Sequence, residues 1–218
     1  EMNENIQALA EKGVRIINPP EAISKAANKF ATSRALHDAA VPTPKTAITT
    51  NIKDAQNSLQ KFGKAVSKPL YGYKGKDIVR LECGNDDDLN KLKSIIEKHG
   101  LVYLQEFIAS NSPRDIRAFV VGGHALGAIY RVAPPGEWIS NLARGGSAIP
   151  CQVTKEIESL AVKASHAVGT IYCGVDLMET IEGLKVIEVN GTPSGKGIFE
   201  ALGVNVTAAI VDHVISSK

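Results

Sequence analysis

The chain has 218 residues, 44% of them hydrophobic, enough to bury a core as one compact unit or two closely coupled subdomains, which excludes a disordered protein. Its 25 basic and 23 acidic residues leave a formal net charge of +2 with no long basic run, so a local basic cleft is allowed but nucleic acid is not the expected partner. Cys83, Cys151 and Cys173 lie far apart without a CxxC pair, which argues against a disulfide framework or a zinc site, and no stretch approaches the length of a membrane span. A reducing cytoplasm and no membrane partner are therefore expected.

The opening "EMNENIQALAEKG" is polar and amphipathic, unlike a signal peptide, and residues 4–12 are predicted to form a helix. "VRIIN" reads as a strand, and "NPPEAISKAANKFATSRALHDAAVP" as one or two helices closed by Pro42 and Pro44, followed by the strand "TAITT". Asn51 is placed to cap the helix "IKDAQNSLQKF", which stops at Gly63. "AVSKPL" is a strand ending in the loop "YGYKGK", and "DIVRLEC" returns as the next strand. Asn85 with Asp86, Asp87 and Asp88 marks a helix start rather than a metal site, since carboxylates favour the positive end of the helix dipole.

Three strands follow, "LVYLQEFI", "DIRAFVVG" and "HALGAIYRVA", the last two joined at Gly122-Gly123; "PPGEWISNLARGGSAIP" reads as a long loop. In "TKEIESLAVKASHAVG" the residues Ile157, Leu160, Ala161, Ala164 and Val168 share one helical face, so this helix covers a sheet. Two strands, a loop and a final helix capped by Asn205 complete the chain. Strands clustered in hairpins with helices between the clusters predict an α+β fold, and no GxGxxG or Walker A loop follows a strand.

The segment "CGVDLMETIEGLKVIEVNG" predicts a hairpin with a three-residue loop at Ile181, Glu182 and Gly183, which sets Thr180 opposite Leu184, Met178 opposite Val186 and Asp176 opposite Glu188. Asn190 shares the side of Glu188, while Val175, Leu177, Ile187 and Val189 point to the core. Opposed carboxylates repel unless a cation or a shared proton lies between them, and hard oxygens of this kind suit magnesium. A solvent-facing hairpin with scattered acids fits the pairing equally well.

Lys68 ends a strand just before the glycine-rich loop, where Gly72 and Gly75 would let backbone N–H groups approach phosphates; Lys74 and Lys76 could simply be solvated. Asp115 and Arg117 fall on one face of a strand, suited to ribose and phosphate or to pairing with each other. Arg131, Asn141 and Arg144 flank or occupy the long loop, and Trp138 reads as a loop anchor rather than a stacking platform. The five histidines show no metal spacing and no nucleophile partner.

Taken together, "ANKFATSRALHDAAVPTPKT", "VSKPLYGYKGKDI", "VYLQEFI", "RDIRAFVVG", "SNLARGGSA", "GVDLM" and "VIEVNGTPSGKGIFEALGVNV" resemble the ATP-grasp superfamily, in an order similar to its RimK-type branch of α-L-glutamate ligases. The resemblance covers the chain from about Asn18. It implies a nucleotide between two α+β subdomains, with Lys29 and Lys68 on the phosphates, Glu106, Phe107 and Ile108 at the adenine, Asp115 at the ribose and Asn141 in the nucleotide site. Asp176, Glu188 and Asn190 match the family's Mg²⁺ ligands, with Mn²⁺ as a substitute, and Arg117, Arg131 and Arg144 match basic positions near the transferred phosphate. Ile139 stands where relatives can carry a basic residue.

The implied reaction converts a carboxylate to an acyl phosphate, which an amino group attacks to form an amide. The implied partners are ATP, L-glutamate and an acceptor carboxylate on a small coenzyme or a protein C-terminal tail, with a homo-oligomer in keeping with the family. "VNGTPSGKGI" looks more like the archaeal glutamate ligases than the carrier-protein branch, which slightly favours a pterin coenzyme as the acceptor. The implied division is residues 1–20 as the end of an N-terminal domain, 21–108 as the first subdomain and 109–218 as the second, with the metal site. A non-catalytic or truncated nucleotide-binding module of the same fold is the alternative.

Overall fold

Asn51 and Asn85 each accept two backbone N–H groups, at 2.8 and 3.4 Å and at 3.0 and 3.2 Å, and so start the two helices that cover the smaller of two sheets. The computed structural model describes residues 2–72, 75–110 and 112–217. The two helices are α4 (Ile52–Phe62) and α5 (Asp86–His99), ended by Gly63 and Gly100 at positive φ. Beneath them lie β1 (Thr46–Thr49), β2 (Lys64–Ser67), β3 (Val79–Glu82) and β4 (Val102–Glu106), in the order β1-β4-β2-β3. Ala55, Leu59, Ala65, Leu81, Leu92, Val102 and Leu104 form their shared core. Asp88 ties helix to sheet, accepting from the Glu82 N–H at 2.9 Å and from Lys91 Nζ at 2.7 Å.

The larger sheet runs β7-β6-β5-β8-β9, from β5 (Arg114–Val121), β6 (His124–Val132), β7 (Ser147–Cys151), β8 (Tyr172–Thr180) and β9 (Gly183–Asn190). Every pairing in both sheets is antiparallel, in agreement with the α+β expectation. Ile116, Ala118 and Val120 of β5 face a core shared with α6 (Lys155–Val168), which buries Ile157, Ala161, Ala164 and Val168 there, with Leu160, the fifth residue its periodicity singled out, half-buried against it. Helices α2 (Pro20–Ala27) and α3 (Lys29–Asp38) precede the small sheet in sequence yet contribute Ala26 and Leu36 to this core. Asn28 separates them: its N–H closes α2 on Lys25 O, and its side chain caps α3 through the Ala31 N–H.

The other face of β5 is divided. Phe119 and Val121 pack under α7 (Lys196–Leu202) and α8 (Val206–Ser216), with Ile198 and Val206, whereas Asp115 and Arg117 extend the same face toward the small sheet. A helix α1 (Met2–Glu11) opens the described chain. Among the described residues no single helix is long and apolar enough to cross a membrane.

Four expectations are corrected. "VRIIN" is not a strand: Asn18, 1% exposed, donates to Tyr172 O and Gly191 O, both at 2.7 Å, and accepts from the Ile171 and Tyr172 N–H groups, so it clamps other segments instead of joining a ladder. The last four residues of the predicted long loop belong to β7, an edge strand where Pro150 is tolerated because no ladder hydrogen bond is needed on its outer side. The loop after β9 contains α7, hidden by Gly197, whose missing side chain admits Leu142: a Cβ there would lie 2.6 Å from Leu142 Cδ1.

The fourth concerns the acidic hairpin. Its turn holds two residues, with Thr180 paired to Gly183, because Thr180 Oγ1 accepts from the Glu182 N–H at 3.0 Å and donates to Gly183 O at 2.7 Å. Met178 therefore faces Lys185, and a bulge beyond Leu177 restores the expected Asp176 to Glu188 pairing. The β5–β6 turn at Gly122 and Gly123, both at positive φ, is as the sequence indicates.

Candidate functional site

Strand pairing sets five charged side chains side by side. Asp115 on β5 is opposite Arg131 on β6, Arg117 on β5 is opposite Asp176 on β8, and Asp176 is opposite Glu188 on β9. Arg131 grips Asp115 with Nε and Nη2, both at 2.6 Å, and its Nη2 also reaches Asp176 Oδ2 at 2.8 Å. Arg117 holds Asp176 in the same forked manner, through Nε to Oδ1 and through Nη2 to Oδ2 at 2.7 Å. Ser140 Oγ donates to Asp115 at 2.7 Å. The sequence allowed Asp115 and Arg117 to pair with each other; each instead takes its partner from a neighbouring strand.

These contacts govern ionisation. Burial pushes the Asp176 carboxyl upward, but Arg117 and Arg131 outweigh it and hold the group below the ordinary carboxylate range. Burial likewise works against the charge on Arg131, and Asp176 and Asp115 more than compensate. The repulsion expected between Asp176 and Glu188 is thus relieved by protein cations, because Lys29 Nζ also stands 3.7 Å from Glu188 Oε1.

Lys68 follows β2 and faces this array from the small sheet, its Nζ donating to Gln105 Oε1 at 2.7 Å. Burial is the largest influence on Lys68 and lowers its pKa from the ordinary lysine value; Glu188 opposes that shift and Lys29 adds to it. Lys29, in the first turn of α3, donates to Gly72 O at 3.1 Å and so anchors the glycine-rich loop. Lys74 of that loop lies outside the described residues.

A cleft between the sheets is lined by Lys68, Glu106, Phe107, Ile108, Asp115, Arg131, Asn141, Asp176 and Glu188. Lys29, Arg117, Arg144 and Asn190 stand outside that lining; Arg117 touches it only through Asp176. Glu106 accepts from the Lys45 N–H at 3.2 Å. Phe107 meets Trp138 edge to face, with centroids 5.9 Å apart, while the Arg80 guanidinium lies 4.4 Å from the Phe107 centroid. Trp138 therefore does anchor its loop, and at 38% exposure it is also part of the cleft wall.

At the mouth, Arg144 Nη1 donates to Gly75 O at 3.0 Å, and Gly75 sits so close to the long loop that a Cβ would be 2.7 Å from Asn141 Oδ1. The two loops thus meet across the cleft, one from each sheet. Ile139 packs beneath Gly75 and contributes no polar group there.

Among the described residues no group of three His, Cys, Asp or Glu side chains is arranged to hold a metal ion. Asn190 Oδ1 accepts from the Thr192 N–H at 2.9 Å. The donor chemistry nevertheless fits magnesium: Glu188 and Asn190 are hard oxygen donors two apart on one side of β9, and Asp176 faces Glu188 across the strand pair. Magnesium takes one or two carboxylates and completes its shell with water and phosphate. Sequence reasoning missed Gln105, Ser140 and Arg80. Gln105 stands next to Glu106 in the strand "LVYLQEFI", where its polar tip inside an apolar run was the signal available.

The family described as the RimK-like ATP-grasp domain matches residues 26–214. Tetrahydromethanopterin:alpha-L-glutamate ligase of Methanosarcina acetivorans is 42% identical to this chain over 236 residues, covering 96% of the chain and 72% of that protein. The protein of the same name from Methanocaldococcus jannaschii is 43% identical over 207 residues, covering 93% and 70%. Among solved structures, the ATP-grasp ligase PsnB, complexed with a phosphomimetic variant of its minimal precursor, Mg and ADP, superposes with a TM-score of 0.75 at 22% identity, covering 99% of this chain and 66% of that one. That last likeness is one of fold.

Proposed function

The chain belongs to the RimK-like ATP-grasp domain family, and from that premise we propose that it is an ATP-dependent carboxylate-amine ligase that adds L-glutamate to an acceptor. The observation that carries this reading is the cleft between two antiparallel sheets, with Lys68 on one wall and Asp176, Glu188 and Arg131 on the other, Arg117 holding Asp176 from behind. The adenine lies against Glu106, Phe107 and Ile108, and the phosphates extend toward Lys68 and Lys29. Asn141 adds a carboxamide at the mouth, and Asp115 acts through Arg131, which it orients.

Glu188, Asn190 and Asp176 are the residues that would hold magnesium, with manganese as a substitute. Bound there, the metal neutralises charge on the phosphates and favours phosphoryl transfer. The acceptor carboxylate attacks the terminal phosphorus of ATP, forming an acyl phosphate and releasing ADP. The glutamate amine then attacks the acyl carbon, loses a proton and expels phosphate, forming the amide. No protein nucleophile is required. Arg131, oriented by Asp115 and Asp176 with Arg117 behind, offers its remaining N–H donors to the transferring phosphoryl group and to the oxygen that becomes negative in the tetrahedral intermediate. Arg144 acts at the mouth of the cleft.

The two archaeal relatives favour a pterin-type coenzyme as the acceptor over a protein tail. The test is ADP release, which should require magnesium, glutamate and the acceptor together, with hydroxylamine trapping a hydroxamate when glutamate is omitted. Turnover indifferent to magnesium, or no hydroxamate from any carboxylate acceptor, would count against it.

A further inference from the structure

Gln105 lies in β4, the small-sheet strand between β1 and β2, opposite Thr46 on one side and Val66 on the other, and is 3% exposed. Its Oε1 accepts from Lys68 Nζ at 2.7 Å, and its Nε2 points to Ile187 O on β9 at 3.5 Å. An ammonium group has donors only, so the oxygen of the amide must face Lys68, and the nitrogen is then left facing a carbonyl on the opposite sheet. One side chain thus spans the cleft, from the lysine of one wall to the backbone beside Glu188 on the other.

A carboxamide here does what a carboxylate cannot. Arg131, on the facing wall, has its charge matched by Asp115 and Asp176. Lys68 is fixed instead by a neutral acceptor, which sets the direction of the ammonium without cancelling its charge. That charge is then available to an anion entering the cleft.

We infer that Gln105 is a positioning residue for the nucleotide phosphates: it aims Lys68 into the cleft and keeps that lysine in register with the metal-ligand strand β9. The inference rests on the nucleotide reading above. It differs from a purely structural role, in which a buried glutamine only satisfies its own hydrogen bonds, by acting on phosphate and not on the base.

Trp138, the single tryptophan, lines the cleft and provides the readout. Its emission is titrated with Mg·ATP and with adenosine for the wild type, Gln105→Leu, Gln105→Glu, Lys68→Met and the Gln105→Leu/Lys68→Met pair. Loss of one charge-assisted hydrogen bond at a phosphate site predicts ATP binding weakened about tenfold or more by either Gln105 change. Adenosine binding should stay within about twofold of wild type, and Gln105→Leu should add nothing once Lys68 is gone. The near-isosteric Gln105→Glu decides the matter if the leucine variant fails to fold, since its carboxylate would pair with Lys68 and repel phosphate. Parallel losses for ATP and adenosine, unchanged ATP binding in Gln105→Glu, or additive losses in the pair would overturn the inference while leaving the nucleotide site intact. A folded wild type that bound neither ligand would overturn the nucleotide reading and this inference with it.

Discussion

Arg117 holds Asp176 through both carboxylate oxygens from the directly opposed position on the neighbouring strand, with Arg131 adding a third contact at 2.8 Å. Asp176 is therefore a structural residue in the absence of any metal. Asp176→Asn should destabilise the protein by about 3–5 kcal/mol even in chelator, because it leaves two guanidinium groups short of a buried counter-charge. Urea unfolding measures this. Glu188→Gln, whose side chain is 34% exposed, should shift stability by less than about 1 kcal/mol under the same conditions. Equal costs for the two variants would mean that the Asp176 cluster does not support the sheet.

Asn18 makes four hydrogen bonds to the backbone of residues 171, 172 and 191. Asn18→Ala should cost about 3 kcal/mol or more, since several buried backbone groups lose their partners at once. Asn18→Asp should be at least as damaging, because a carboxylate cannot donate to Tyr172 O and Gly191 O. Thermal melts of both variants within 2 °C of wild type would contradict the clamp.

Asp88 gives a pH dependence of known sign. The hydrogen bond from Lys91 is the largest influence on it, the Glu82 N–H adds to that, and the carboxyl is held below its ordinary value against the effect of burial. A depressed carboxylate contributes stability that is fully present above the unfolded-state value and lost as pH falls through the lower folded-state value. Wild type should lose stability below about pH 4 more steeply than Asp88→Asn, which should itself be less stable by about 1–3 kcal/mol at pH 7. Parallel acid titrations of the two proteins would contradict this.

Arg144 bridges to Gly75 across the mouth of the cleft while the rest of its side chain is exposed. Arg144→Ala should leave stability within about 0.5 kcal/mol of wild type. It should speed both nucleotide association and release, measured by stopped-flow emission of Trp138. A slowed association with unchanged release would instead make Arg144 a steering charge rather than a latch.

The facing of Asp176 and Glu188 was legible although the alternation that suggested it breaks at Val186 and Ile187, where Val186 joins the core and Ile187, expected there, lines the cleft instead. The turn between them was not, because the hydroxyl of Thr180 closes a shorter loop and a bulge then absorbs the difference. The capped helices after Asn51 and Asn85 could be read from local chemistry alone. Which arginine pairs with which aspartate depends on the strand order β6-β5-β8, and no local pattern encodes that order. The role of Gln105 was hidden for the same reason: its two partners come from residues 37 and 82 positions away.

A nucleotide bound between the sheets should share its phosphates between Lys68 and a metal at Glu188. Calorimetric titration of Mg·ATP, metal-free ATP and Mg·GTP into the wild type and Glu188→Gln tests it most directly. The wild type should bind with adenine selectivity and only with magnesium, and a folded Glu188→Gln should lose that binding. Binding that is indifferent to magnesium, or that survives the substitution unchanged, would contradict it.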